Sequence, residues 1–352
     1  MLDRFHAAGR YFNYKVGWRR LGIILSLGII VTAIVVLYKT LRNLDIEYLI
    51  DALRAYEASQ IAMAAIFVAA GYFTLTFYDL FALRTIGRKE VPYRTAALAA
   101  FTSYSIGHNL GASVFTGGAV RYRIYSDSGL SAIEVAKICF IAGLTFWLGN
   151  ATVLGIGIAY APQAANAIDQ LPLWFNRLLA SVILIVLGTY VAWVWRTPRV
   201  IGRSDWEVKL PNGPLTLLQI VIGIVDLTFC ALAMYVLMPD DSLIGFVTLA
   251  VIFVSATLLG FASHSPGGLG VFDAAMLIAV LHFDVEKALE KEDLLAGLLI
   301  FRLLYYIVPF ALSLVILGLR EVWLSFARPV ESTTGEAINS ISRQDGEKRD
   351  TT

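Results

Sequence analysis

Continuous apolar runs, separated by short polar stretches, set the pattern of this chain. The runs Leu21 to Leu37, Ile61 to Leu83, Ile133 to Tyr160, Phe175 to Val194, Leu215 to Leu237 and Leu294 to Leu319 do not alternate with polar residues. A bilayer core of roughly 30 Å takes about 20 mostly apolar helical residues per crossing, whereas membrane strands would alternate. Two further segments are apolar but interrupted. One is "FTSYSIGHNLGASVFTGG"; in the other, Leu243 to Phe261 runs on into "ASHSPGGLGVFDAAMLIAVLHF". The pattern predicts an all-α polytopic membrane protein with about six full spans and two broken or re-entrant helical segments, eight hydrophobic segments in all.

Charge orients the segments. Arg4, Arg10, Lys15, Arg19 and Arg20 precede the first run, which has no convincing small-residue cleavage site after it, so a retained helix with a cytoplasmic amino terminus is expected. "LRNLDIEYLIDALRAYEAS" is amphipathic and acidic, which suits an external interfacial helix. Arg84, Arg88, Lys89 and Arg94 mark a cytoplasmic loop, and "APQAANAIDQLP", with no basic residue, an external one. Residues 95–131 must then enter and leave on the cytoplasmic side, as a broken hairpin shielded by protein or a wet cavity. A second basic loop carries Arg196, Arg199, Arg203 and Lys209, and Arg320 and Arg328 place the carboxyl end inside. The expected organisation is a basic cytoplasmic segment at 1–20, a membrane domain at 21–325 and a disordered polar tail at 326–352.

Composition agrees and adds exclusions. Hydrophobic residues make up 58% of the chain and charged ones 16%, with a mean hydropathy of +0.69. The net charge of +1 and the lack of a suitable basic stretch give no ground for a nucleic-acid partner. The two cysteines, Cys139 and Cys230, sit in apolar runs as packing residues. No P-loop, no H-E-x-x-H and no Cys/His cluster occurs, and "GGLGVFD" lacks the setting of a dinucleotide fingerprint; neither a metal nor a cofactor is expected.

The interrupted segments share a weak repeat. "DLFAL" from Asp79 resembles "DLTFCAL" from Asp226, and a Gly-Gly pair follows each aspartate 38 and 41 residues later, at Gly117 and Gly267. Phe101 to Ser103 and Phe253 to Ser255 precede the two pairs. With the aspartate helices running in opposite directions, this would be an inverted repeat, a plan that puts a transport site between broken helices. Chance matches in apolar sequence are the alternative.

"GGAVRYRIY" before a long span, the aspartate helix upstream of it, and "SPGGLGVFDAAM" near the carboxyl end resemble the membrane domain of the lysylphosphatidylglycerol synthase/flippase family. That family includes the multiple peptide resistance factors and shorter inner-membrane relatives, and the resemblance covers roughly residues 15–325. It implies a bacterial inner-membrane protein that moves aminoacylated or other anionic phospholipid between leaflets. Full-length members also carry a soluble aminoacyl-transferase domain. This sequence shows none, so the expectation is a translocase rather than an enzyme, with membrane phospholipids as partners and a separate lipid-modifying enzyme or a homo-oligomer left open. Transport of a small solute and a role as the membrane subunit of a lipid aminoacyltransferase are the alternatives.

The candidate headgroup-binding residues follow from their chemistry. Arg121 and Arg123 share a face if their segment is extended, and guanidinium groups pair with phosphate. Gly117 and Gly118 would allow close backbone approach, with free N–H groups if a helix starts there. The alternative is that both arginines are ordinary positive-inside anchors. Asp79, Asp226 and Arg302 lie within apolar runs, where a charge needs a partner or a wet cavity. Arg302 is a candidate partner for the aspartates, which could otherwise bind a cationic headgroup or a proton. Ser265, Gly267 and Gly268, with Pro266 and Gly270, are expected to break a helix beside the site. His108 and His264 fall in the interrupted segments as candidate titrating groups.

Overall fold

In hydrocarbon a backbone satisfies its polar groups most simply within a helix, and the apolar runs of this chain do so. The computed structural model describes residues 50–51, 54, 56–110, 113–197, 199–203, 206–239, 244–263, 265–283 and 291–327. The basic start, the expected first span, most of the amphipathic stretch after it, His264 and the tail beyond residue 327 lie outside the described residues.

Helix α1, Ala58–Thr85, opens where the Gln60 side chain accepts the Glu57 backbone N–H at 3.3 Å and closes before Gly87 at φ 89°. Two shorter helices follow, α2 (Tyr93–Leu110) and α3 (Ser113–Tyr125). At 1.5 Å per residue, α3 is roughly 20 Å long, too short to cross a bilayer core. The interrupted segment is thus a pair of helices packed on each other. A Cβ on Gly117 would lie 3.2 Å from the Ser103 carbonyl oxygen, so glycine there sets how closely α2 and α3 approach.

A 3-10 turn at Ser126–Ser128 leads to α4, Ala132–Tyr160. Ser131 caps α4 by accepting the Glu134 N–H at 3.3 Å, while the Glu134 carboxylate accepts the Ser131 N–H at 2.8 Å. Glu134 also receives Arg88 Nε at 2.5 Å, tying the loop after α1 to the start of α4. In that loop, its own backbone N–H and then Arg88 hold the Glu90 carboxyl below the usual carboxylate range.

Helix α5 (Pro162–Asp169) occupies the stretch expected to be a plain external loop; Ala164, Ala165 and Ala167 bury its apolar side. Helix α6, Leu173–Trp195, is largely exposed, as a lipid-facing helix would be. The second basic loop holds an unexpected antiparallel hairpin, β1 (Val200–Arg203) and β2 (Trp206–Lys209), with Val200 opposite Lys209 and Arg203 opposite Trp206. Its β-branched and aromatic residues favour strands once the chain leaves the apolar phase.

Asn212 caps α7, Gly213–Val236, by accepting the Leu215 N–H at 3.2 Å. Helix α8, Phe246–Ala262, leads through a 3-10 turn at Pro266–Gly268 into α9, Val271–Phe283. Helix α10, Lys291–Arg302, runs into a π turn at Leu303–Ile307 and then α11, Val308–Ala327. Residues 1–313 and 314–352 form two units, and the described part of the second is the end of α11.

Among the described residues, six helical stretches are long and apolar enough to cross a membrane: α1, α4, α6, α7, Pro266–Phe283 and Lys291–Leu324. The chain is an all-α polytopic membrane protein. Helix α8, with only 17 residues, falls outside that set, while the stretch expected to be broken reaches the length of a span once its turn is counted with α9. Small residues hold the helices close: a Cβ on Gly149 in α4 would lie 2.7 Å from the Gly223 Cα of α7. The core lies mainly among α1, α7, α8, α9 and α10.

Candidate functional site

Adjacent residues on a helix diverge by about 100°, so one helix can serve two neighbours from consecutive positions. Tyr78 and Asp79 of α1 do this. Asp79 faces α3, where Arg121 donates from Nε at 3.1 and 2.9 Å and from Nη2 at 2.7 Å. The Tyr125 hydroxyl, one turn after Arg121, donates to the same carboxylate at 2.8 Å. The Arg121 guanidinium also lies 4.6 Å from the centre of the Tyr104 ring on α2. Asp79 is fully buried and Arg121 is 5% exposed, so two charges removed from solvent are matched by a forked ion pair, a phenol and a ring face.

This geometry corrects three expectations. The segment 113–125 is helical rather than extended, so Arg121 and Arg123 point roughly 160° apart, and Arg123 meets Asp127 at 3.4 Å instead. Gly117 and Gly118 lie inside α3 and do not start it. Arg302 pairs with neither Asp79 nor Asp226.

Asp226, near the middle of α7, is 4% exposed. The Tyr78 hydroxyl donates to its Oδ2 at 3.0 Å, and Oδ1 has no hydrogen-bond partner among the described residues. Opposite it α1 presents Gly71, whose missing Cβ would sit 3.9 Å from Oδ1. The two aspartates paired by the sequence repeat are therefore joined to one helix, one directly and one through Tyr78.

Arg302 ends α10 and binds Asp273 at the first turn of α9, through Nε at 2.7 Å and Nη2 at 2.5 Å. It also donates to the carbonyls of Gly267, at 3.1 Å, and Gly268, at 3.4 Å. Those glycines, at φ 61° and 60°, break the helix as expected, and left-handed backbone turns their carbonyls toward the guanidinium. Asp273 accepts the Gly270 N–H at 3.0 Å, which fixes it at the helix start. Asp273 is the residue missed from sequence; an aspartate three positions after a glycine, opening an apolar run, was the available signal. Ser265 stands at the same turn, 2.9 Å from the Ser263 hydroxyl.

Beyond Arg302 the π turn frees backbone carbonyls, and other helices supply donors: Tyr72 of α1 to Tyr305 O at 3.0 Å and Asn109 of α2 to Tyr306 O at 3.1 Å. A row of rings then connects the two ion pairs. From Arg121 it runs through Tyr104, His108 at 5.7 Å, Tyr305 at 6.1 Å and Tyr306 at 5.1 Å, to Arg302 at 5.5 Å. His108 lies in mid-row, and its Nδ1 has no partner among the described residues. The structure thus brings Asp79, Arg121, Asp226, His108, Arg302, Gly267 and Gly268 into one buried polar network, whose tyrosines sequence reasoning did not single out. Arg123 points elsewhere, and His264 lies outside the described residues.

On the outer side of α1 and α7 lies an apolar groove of about 770 Å³, lined by Phe73, Phe77, Leu218, Val221, Val225 and Phe229. Phe73 and Val221 are more than half exposed, so the groove opens sideways. Arg84 and Thr85 close one end, and the Arg84 guanidinium bends toward the Lys89 carbonyl. Among the described residues, no group of three or more His, Cys, Asp or Glu side chains could hold a metal ion.

Comparison with known proteins sets this arrangement in context. The family model described as lysylphosphatidylglycerol synthase TM region matches residues 23–313. Inner membrane protein YbhN of Escherichia coli K12 is 29% identical over 304 residues, which cover 85% of this chain and 92% of YbhN. Protein slr0712 of Synechocystis sp. is 28% identical over 264 residues, 75% of this chain and 80% of its own. Phosphatidylglycerol lysyltransferase of Staphylococcus xylosus is 24% identical over 307 residues, 84% of this chain but only 33% of that protein.

Proposed function

The chain belongs to the lysylphosphatidylglycerol synthase transmembrane-region family, and from that premise we propose that it is a phospholipid translocase of the bacterial inner membrane. Its substrates are anionic or aminoacylated phospholipids such as lysylphosphatidylglycerol. The observation that carries this reading is the side-opening groove between α1 and α7. An acyl chain fits its apolar wall, and Arg84 at its end is placed to meet a phosphate. The same two helices carry the buried Asp79 and Asp226, so a lipid held in the groove lies against the helices that hold the polar network. A site for a small solute has no need of a lateral apolar opening. The basic loops holding Arg84, Arg88 and Lys89, and Arg196 and Arg199, face the cytoplasm in this reading, with both chain termini on that side.

Reconstitution tests it. Liposomes carrying fluorescent phosphatidylglycerol or lysylphosphatidylglycerol in both leaflets are exposed to a membrane-impermeant quencher. The wild-type chain is expected to expose the inner-leaflet lipid. Val221→Trp, which fills the groove, and Arg84→Ala, which removes its cation, each slow this severalfold without unfolding the protein. Protein-containing vesicles that match empty ones for every headgroup tried would overturn the reading.

A further inference from the structure

Asp226 differs from the other buried charges in the network because, among the described residues, no cation pairs with it. Asp79 has Arg121, and Arg302 has Asp273. Asp226 forms no ion pair among the described residues, receives one hydrogen bond from a neutral phenol, and keeps Oδ1 buried without a partner. Among the described residues, the other titratable groups around it are Tyr72 and Tyr78 from α1, Tyr104 from α2, Tyr305 from the π turn and Cys230 on α7 itself. All are neutral in their ordinary forms. Arg121 is engaged by Asp79, and that pair has no net charge. An ionised carboxylate with one hydrogen bond in such a place carries a desolvation penalty of several kcal/mol, while a neutral carboxyl is accommodated by one phenol and an apolar wall.

We propose that Asp226 is a proton-binding site. In the closed arrangement seen here its carboxyl carries a proton on Oδ1 while Oδ2 accepts from Tyr78. When α1 and α7 separate and water reaches Gly71, the O–H bond of the carboxyl breaks, the proton passes to water and the carboxylate remains. Because the substrate groove is lined by the same two helices, opening their contact for a headgroup also exposes Asp226, which couples movement of one lipid to exchange of one proton. The coupling rests on the translocase reading; the proton site itself does not.

Two measurements separate them. Infrared difference spectroscopy of the full chain in liposomes, across a pH series, is expected to show a protonated carboxylic carbonyl band that titrates. Asp226→Asn abolishes the band and Asp226→Glu displaces it. If the wild type shows no band, or one that the Asn variant retains, the proton site is overturned. In the quenching assay with an imposed pH gradient, wild type and Asp226→Glu are expected to move lipid severalfold faster in one gradient direction than the other, and Asp226→Asn equally in both. Wild-type movement that ignores the gradient overturns the coupling. A titrating band in vesicles that move no lipid under any gradient supports the proton site and overturns the translocase reading.

Discussion

Two buried arginine–aspartate pairs anchor this protein, and they are built differently. Asp79–Arg121 joins one helix to another from inside both; its side chains are 0% and 6% exposed, and its remaining bonding capacity is met by Tyr125 and the Tyr104 ring. Asp273–Arg302 joins a helix start to a helix end; Asp273 keeps 24% of its side chain exposed, and the arginine spends its other donors on a Gly-Gly turn. The first pair binds packed helices together. The second holds a broken backbone in shape. A buried pair's contribution thus depends on what its loss would expose: a naked charge in the first region, loose carbonyls at a helix break in the second.

Single substitutions break the comparison open. Asp79→Ala or Arg121→Ala strands a fully buried charge and lowers stability by about 3–5 kcal/mol, measured by denaturant unfolding in detergent, and removing both partners together restores much of the loss. Arg302→Met is milder, about 1.5–3 kcal/mol by the same measurement, because Asp273 retains the Gly270 N–H and contact with solvent. A loss at Arg302 equal to that at Asp79 would erase the distinction.

Glycines sharpen it further. Gly267→Ala forces a side chain into a left-handed conformation and is expected to lower the melting midpoint by the equivalent of about 1–2 kcal/mol. Gly118→Ala should do the opposite. Its Cβ would meet Cys139 Sγ at an ordinary 3.7 Å, and alanine suits a helix interior better than glycine by roughly 0.5–1 kcal/mol. A destabilised Gly118→Ala would mean that α3 needs close approach at both glycines and not only at Gly117.

The fold was readable because hydrocarbon leaves a chain few choices. The runs at 61–83, 133–160, 175–194 and 215–237 became α1, α4, α6 and α7, with ends displaced by a few residues. The break at Pro266–Gly268 was readable for a related reason, since proline followed by two glycines strongly disfavours continuing a helix. Gly117 and Gly118 misled for the same reason: glycine pairs suggest a loop or a helix start, yet here they lie within α3, facing Ser103 and Cys139. The hairpin at 200–209 and the short helix α5 escaped notice because each is shorter than the patterns that mark a span.

The sequence by itself determined that Asp79, Asp226 and Arg302 would be embedded in apolar surroundings, and that such charges need partners; Arg121 it marked only as a cation at the membrane surface. Which partner each obtained was decided by tertiary structure alone. Rotation of α3 by one helical step per residue brought Arg121, and not Arg123, to Asp79; the turn at Gly267 carried Asp273 to Arg302; and Asp226 was left with a tyrosine. Pairing depends on the angular position of each side chain around its helix and on which helices touch, and neither quantity is written in the hydropathy of a single chain.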